Sequence, residues 1–242
     1  MTESNLTSQF KELEGITIGD NRVYVDADGV EYISVTTAIK LCSGGEKTES
    51  LMYWASKNSN YKQLQEDARN FGTIMHALTD VILESKKSGS SFVISDTEIS
   101  DIVWNAGIIN IPYEPAWAFR VMNDWIDQNV TEVILSEATI CSDSLGLAGR
   151  LDCLVNTKTW GLALIDFKFS KNPKQSHDYA LQLATYKYML NEQGFEIDNA
   201  FNLFPNITNK KQPYTISGGI NKVDPKEVEL IAQLARIRHA RK

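Results

Sequence analysis

The chain has 242 residues, 43% of them hydrophobic and 23% charged, enough apolar material to bury a substantial core. That balance excludes a mainly disordered chain, and Gly 14 with Pro 6 excludes a collagen-like or low-complexity one. The formal net charge is −7, but it is unevenly spread: −9 over residues 1–130, −3 over 131–205 and +5 over 206–242. No apolar run approaches the roughly 18–20 residues that span a bilayer, so no membrane partner is expected.

The polar, acidic start has the character of neither a secretory signal nor a transit peptide. Three scattered cysteines cannot make a disulfide framework, and a reducing, cytoplasmic setting is expected. Arg22–Val25 and Glu31–Val35 flank Asp26-Ala-Asp-Gly29, the composition of a hairpin with a glycine-containing turn. Residues 36–130 read mainly as helix. Glu66–Glu84 places Phe71, Met75, Leu78 and Ile82 at helical spacing, and Pro115–Asn129 does the same with Trp117, Phe119, Val121 and Trp125. Trp54, Trp104, Trp117 and Trp125 are expected in the core rather than as base-stacking platforms.

At about residue 131 the pattern changes from helical to alternating. Val133, Leu135, Glu137 and Thr139 are expected on one face of a strand, with Leu147–Asn156 and Leu162–Phe169 as two more. Ser176 can cap a helix running to Gln193, with Gly194 as its stop. Asn199–Phe204 reads as a strand, residues 214–220 as an edge strand, and Pro225 opens a last helix. This order implies an α/β protein, a central mixed β-sheet flanked by helices with a helical N-terminal region. It is read as one domain: a helical region 36–130, a core 131–205 and a basic C-terminal extension 206–242.

The chemistry concentrates in LGLAGRLDCLVNTKTWGLALIDFKFSK. Around the turn Thr157–Gly161 the simplest hairpin pairs Asn156 with Leu162, and counting outward sets Asp152 opposite Asp166. Opposed Cβ atoms lie about 4.5–5.5 Å apart, so two like charges here should repel. Lys168, two residues beyond Asp166, shares its face. The pair makes physical sense if a divalent cation sits between the carboxylates, because hard oxygen ligands suit Mg²⁺ or Mn²⁺. The alternatives are a different register with both acids solvated, or a lysine that merely neutralises Asp166. The apolar run Leu162–Ile165 argues against simple exposure.

These residues carry a resemblance. GRLD, IDFK fourteen residues on and Gln182-Leu-Ala-Thr-Tyr186 resemble the signature of the PD-(D/E)XK nuclease superfamily. Gly72-Thr-Ile-Met-His76 resembles the Gly-x-x-x-His helix of its RecB-like branch. YISVTTAIK and LMYW upstream resemble the mitochondrial genome maintenance exonucleases and related phage exonucleases. The resemblance covers about residues 22–205. It implies that Asp152, Asp166 and the Phe167 carbonyl bind metal, that Lys168 is catalytic, and that His76 borders the metal site as ligand or phosphate contact. It implies that Gln182 and Tyr186 contact DNA or support the site. Glu137 is either a further metal ligand or an ion-pair partner of Arg150. His76 read alone would pair with Asp80 one turn on. Lys171 and Lys174 are either a solvated loop or phosphate contacts, and the tail with Arg236, Arg238, Arg241 and Lys242 either tracks a DNA backbone or ends a helix in water. Leu151 stands where the family name has proline, and there are too few cysteines for an iron–sulfur cluster. The implied function is a metal-dependent exonuclease on single-stranded DNA ends in replication, recombination or repair. A structure-specific or restriction-type endonuclease is the runner-up, and a non-catalytic DNA-binding or regulatory protein is the other class.

Overall fold

The computed structural model describes residues 10–18, 21–42, 52–90, 92–108, 114–170, 176–206, 211–218 and 220–240. Strands β1 (Leu13–Ile18), β2 (Asn21–Asp26) and β3 (Glu31–Ser34) lead into helices α1 (Val35–Cys42), α2 (Tyr61–Lys87), α3 (Asp96–Asn105) and α4 (Pro115–Asn129). Then come β4 (Val130–Ser136), β5 (Thr139–Ser142), β6 (Leu147–Arg150), β7 (Cys153–Thr157) and β8 (Gly161–Phe167). Helix α5 (His177–Glu192), β9 (Asn199–Pro205), β10 (Tyr214–Ser217) and α6 (Pro225–His239) complete the chain.

Local chemistry sets many of these bounds. Asp26 Oδ1 accepts from the backbone N–H of Asp28 and of Val30, closing the first hairpin, and Gly29 takes φ +80°. Ser176 accepts from the Tyr179 N–H to start α5, and Gly194 follows its end at φ +86°. A capping box of Asp224 and Glu227, with Pro225 in the first turn, starts α6. Helix α2 runs 27 residues, longer at both ends than expected, with Phe71, Met75, Leu78 and Ile82 buried as the spacing requires.

The mixed α/β architecture is as expected, but the sheet is divided. Among the described residues one sheet has the order β1-β2-β3-β6-β5 and the other β10-β9-β8-β7-β4. Each contains one parallel pair, β3 with β6 and β8 with β9, the second joined through α5. The second sheet is apolar on both faces. Leu154, Leu164 and Ala200 pack with α5, whereas Cys153, Val155, Ala163, Ile165, Phe201 and Leu203 pack with α2, α3 and α4. That two-sided burial explains the unbroken apolar run in β8.

Two expected strands are each broken in two. Residues 131–140 split into β4 and β5, because Glu137 adopts φ 45° and leaves the extended region. Leu147–Asn156 splits into β6 and β7 around Leu151 and Asp152. The breaks face each other: Glu137 N–H donates to Asp152 O at 2.9 Å, and Leu151 N–H to Ala138 O at 3.0 Å. One two-stranded ribbon therefore crosses from the second sheet to the first, and the crossing is a seam.

Two of the four tryptophans expected in the core are exposed, Trp104 at 71% and Trp54 at 37%, while Trp125 is buried. The basic extension is also docked into the fold over much of its length. Arg236 donates to Ser144 O at 2.6 Å, Arg238 to Leu41 O, and His239 meets Glu31 at 2.6 Å. Arg241, Lys242, Lys171 and Lys174 lie outside the described residues. No described helix is long and apolar enough to cross a membrane.

Candidate active site

The hairpin β7–β8 has the expected register, from Cys153 opposite Ile165 to Thr157 opposite Gly161. The ladder stops one step short of the aspartates, so Asp152 sits in the seam rather than in a strand. Its Oδ2 accepts from the Phe167 N–H at 2.6 Å, which still ties it to the end of β8. Asp166 shares the face of Leu164, looking toward α5, and its side chain is only 4% exposed. Lys168 Nζ lies 2.5 Å from Asp166 Oδ2.

Helix α5 builds the wall around this lysine. Gln182 Oε1 accepts from Lys168 Nζ at 3.1 Å, and the Tyr179 ring lies 4.8 Å from the ammonium. One turn on, Tyr186 is buried and its hydroxyl donates to Arg150 O at 3.1 Å. A Cβ at Gly149 would come within 2.6 Å of Tyr186 Cε1, so the ring lies against a backbone that only glycine permits. Of the two roles the resemblance gives Gln182 and Tyr186, these contacts belong to support of the site, although both also line the cleft in front of it.

Helix α2 contributes the other side. His76 Nδ1 is 3.4 Å from Asp152 Oδ2, and its ring meets Phe169 edge-on at 5.3 Å. The alternative partner, Asp80, instead accepts from Ser136 Oγ, fastening α2 to the end of β4 beside Glu137. Of the two readings of Glu137, the ion pair with Arg150 is present, and the position also leaves it within reach of a shared cation. It pairs with Arg150 at 2.7 Å, and with His76 and Asp152 it forms a group whose ligand atoms all lie within 4.8 Å of one another.

Burial and the closeness of the acids dominate the electrostatics of the site. Burial, and next the charge of Asp166, hold the Asp152 carboxyl well above the ordinary carboxylate range. Burial and then Asp152 likewise push Glu137 up. Burial lowers the His76 pKa, which favours the neutral imidazole that can ligate. Burial alone would lower Lys168, but Asp166 and Asp152 outweigh it and the lysine stays charged. Asp166 Oδ2 is buried and is met by the Lys168 ammonium alone, outside good hydrogen-bond geometry. Carboxylates and an imidazole suit a divalent cation such as Mg²⁺ or Mn²⁺. A cleft of about 530 Å³ opens onto His76, Glu137 and Asp152 and is also lined by Arg22, Arg69, Ser34 and Thr36, whereas Asp166 and Lys168 do not line it. Neither Arg22 nor Arg69 stood out in the sequence. The only available signal for Arg69 was its place two turns before His76 on one helix face.

A two-acid-and-lysine site at a hairpin end, beside a histidine-bearing helix and open to a cleft, defines the class of metal-dependent phosphodiesterases. The family model of the PD-(D/E)XK nuclease superfamily matches residues 50–239, and the chain belongs to that superfamily. It is therefore a nuclease of the divalent-metal-using kind, with DNA as its substrate. A search of curated proteins finds no match.

Proposed function

We propose that the protein is a RecB-like exonuclease that degrades single-stranded DNA from its ends, in replication, recombination or repair, using Mg²⁺ or Mn²⁺. The observation that carries this reading is the buried Asp152–Asp166–Lys168 group meeting a Gly-x-x-x-His helix across an open cleft. The likeness of residues 32–40 and 51–54 to the mitochondrial and phage exonucleases supports the choice of exonuclease.

Asp152, Asp166, the Phe167 carbonyl, Glu137 and His76 are the residues to hold the cation. Once bound it would polarise the scissile phosphate and lower the pKa of a water. Lys168 supplies a fixed positive charge for the phosphate as negative charge builds on it, which is where preorganised groups contribute most. Gln182 orients that ammonium through its Oε1. Tyr186 holds Arg150 O and so fixes the strand end two residues before Asp152. The three cysteines are free thiols, in keeping with a reducing, cytoplasmic setting.

The test is digestion of end-labelled single-stranded and double-stranded DNA in Mg²⁺, Mn²⁺ and EDTA, with a circular single strand alongside. The reading requires metal-dependent loss of the linear single strand and survival of the circle. Cleavage of the circle would make the protein an endonuclease. Tight DNA binding without cleavage in either metal would make it a regulatory protein on a nuclease fold.

A further inference from the structure

The lining of the cleft carries both signs. Beside His76, Glu137 and Asp152 it holds Arg22 from β2 and Arg69 from α2. These two arginines belong to the region of the chain with a net charge of −9. Arg69 precedes His76 by seven residues on one face of α2, a distance of about 10 Å at 1.5 Å per residue. Arg22 is fixed from the opposite element. Its backbone N–H donates to Thr37 Oγ1 at 2.9 Å, which ties the start of β2 to the first turn of α1. Its guanidinium lies over the Tyr24 ring at 4.9 Å, and Gly15 leaves it room, since a Cβ there would stand 3.0 Å from Arg22 Nη2.

Both side chains keep unused donors. Among the described residues no carboxylate pairs with Arg22, and the ion pair of Arg69 with Glu66 is long, at 3.9 Å between exposed groups. By contrast Arg150, the third arginine of the cleft, is engaged by Glu137. Arginine rather than lysine at both positions matters, because the planar fork binds phosphate oxygens two at a time. Thr36 and Thr73 line the same stretch and can add hydroxyl donors.

We propose that Arg22 and Arg69 form a phosphate subsite that grips the nucleic-acid strand in this cleft, Arg69 standing two turns of α2 from His76. The proposal rests on the nuclease reading and names where that enzyme holds its substrate: in the cleft, and not on the C-terminal tail. The phosphate is either an internal phosphodiester or the terminal phosphate of the strand, and the two sources are separable.

The experiment measures anisotropy of a fluorescein-labelled oligothymidylate, with and without a 5′-phosphate, in Ca²⁺ over a range of salt. Arg22→Ala and Arg69→Ala should each weaken Kd about tenfold, in line with the loss of a hydrogen bond to a charged group. Each should also flatten the log–log salt slope by about 0.7. Arg22→Lys and Arg69→Lys should keep the slope while losing part of the affinity, and Lys226→Ala on α6 should change neither. A loss with both oligonucleotides assigns an internal phosphate, and a loss confined to the phosphorylated one assigns the terminal phosphate. Wild-type affinity and slope in folded Arg22→Ala and Arg69→Ala would overturn the subsite while leaving the nuclease reading intact. A wild-type protein that neither binds nor cleaves the oligonucleotide would overturn both.

Discussion

Two clusters in this chain are assembled from the same parts, a lysine, two aspartates and a tyrosine, and they behave in opposite ways. At the surface Lys11 Nζ lies 2.7 Å from Asp143 and from the Tyr32 hydroxyl, and 3.6 Å from Asp26. In the seam Lys168 Nζ lies 2.5 Å from Asp166, with Asp152 nearby and Tyr179 against the ammonium. The Asp143 side chain is 70% exposed, and its bonds from Lys11 and then Tyr32 hold its pKa below the usual range. Asp152 is held far above that range by burial and by Asp166. Proximity of opposite charges is common to both clusters, and Asp26 is itself buried, but backbone N–H bonds hold its pKa down; what distinguishes the seam is a desolvated acid set beside a second one. An exposed network contributes little, whereas buried like-charged acids oppose folding and make physical sense when a cation completes them.

A graded set of variants would break or sharpen that contrast. The largest effect should come from Asp166→Asn and Lys168→Ala, each lowering the cleavage rate by about 10²–10³ with an unchanged circular-dichroism spectrum. Rapid cleavage by either purified variant would contradict the assignment. Next is the response to metal. Saturating Mg²⁺ or Mn²⁺ at about 100 times Kd should stabilise the wild type by about 2.7 kcal/mol, read as a rise in Tm, and Asp152→Asn should lose that rise. The same variant checks the sign of the Asp152 shift. A carboxyl whose folded pKa is raised adds stability below the unfolded value of about 3.9 and loses it as pH climbs through the folded value. The metal-free wild type should therefore lose Tm relative to Asp152→Asn as pH rises above about 4.

Gly149→Ala should destabilise by about 1–3 kcal/mol in urea denaturation, because the added methyl meets the Tyr186 ring. Combining it with Tyr186→Ala should recover part of that loss, and the absence of coupling between the two would show that the ring does not press on this backbone. The smallest effect belongs to the surface cluster. Lys11→Ala should leave cleavage unchanged and Tm nearly so, because the ammonium and its nearest carboxylate, Asp143, are solvated and the buried Asp26 keeps its two backbone donors.

Much of the site was legible because short-range geometry determines it. The turn at residues 157–161 set the β7–β8 register, and from that register followed the proximity of Asp152 to the end of β8 and the shared face of Asp166 and Lys168. The long apolar run in β8 argued against exposure of Asp166, and the strand is in fact packed on both faces, against α5 and against α2 and α4. The seam was not legible. Val133, Leu135, Glu137 and Thr139 keep a period of two across the break, and alternation carries no sign of a positive φ at a glutamate. So the sequence offered Glu137 as a ligand or as a partner of Arg150, and could not show that the ion pair with Arg150 forms beside His76 and Asp152. The docking of Arg236 and Arg238 was hidden for a related reason: composition records their charge, whereas their bonds to Ser144 O and Leu41 O depend on residues 92 and 197 positions away. Arg22 and Arg69 were overlooked because each is ordinary alone, and only the fold brings β2 and α2 to one cleft.

The central claim is that burial at the seam, rather than the mere pairing of lysine with aspartates, makes a metal site. Calorimetric titration of Mn²⁺ into the wild type, Asp152→Asn and Asp143→Asn tests it most directly. The wild type and Asp143→Asn should bind with the same affinity, and Asp152→Asn should lose measurable binding. Equal binding by all three proteins, or a loss confined to Asp143→Asn, would contradict it.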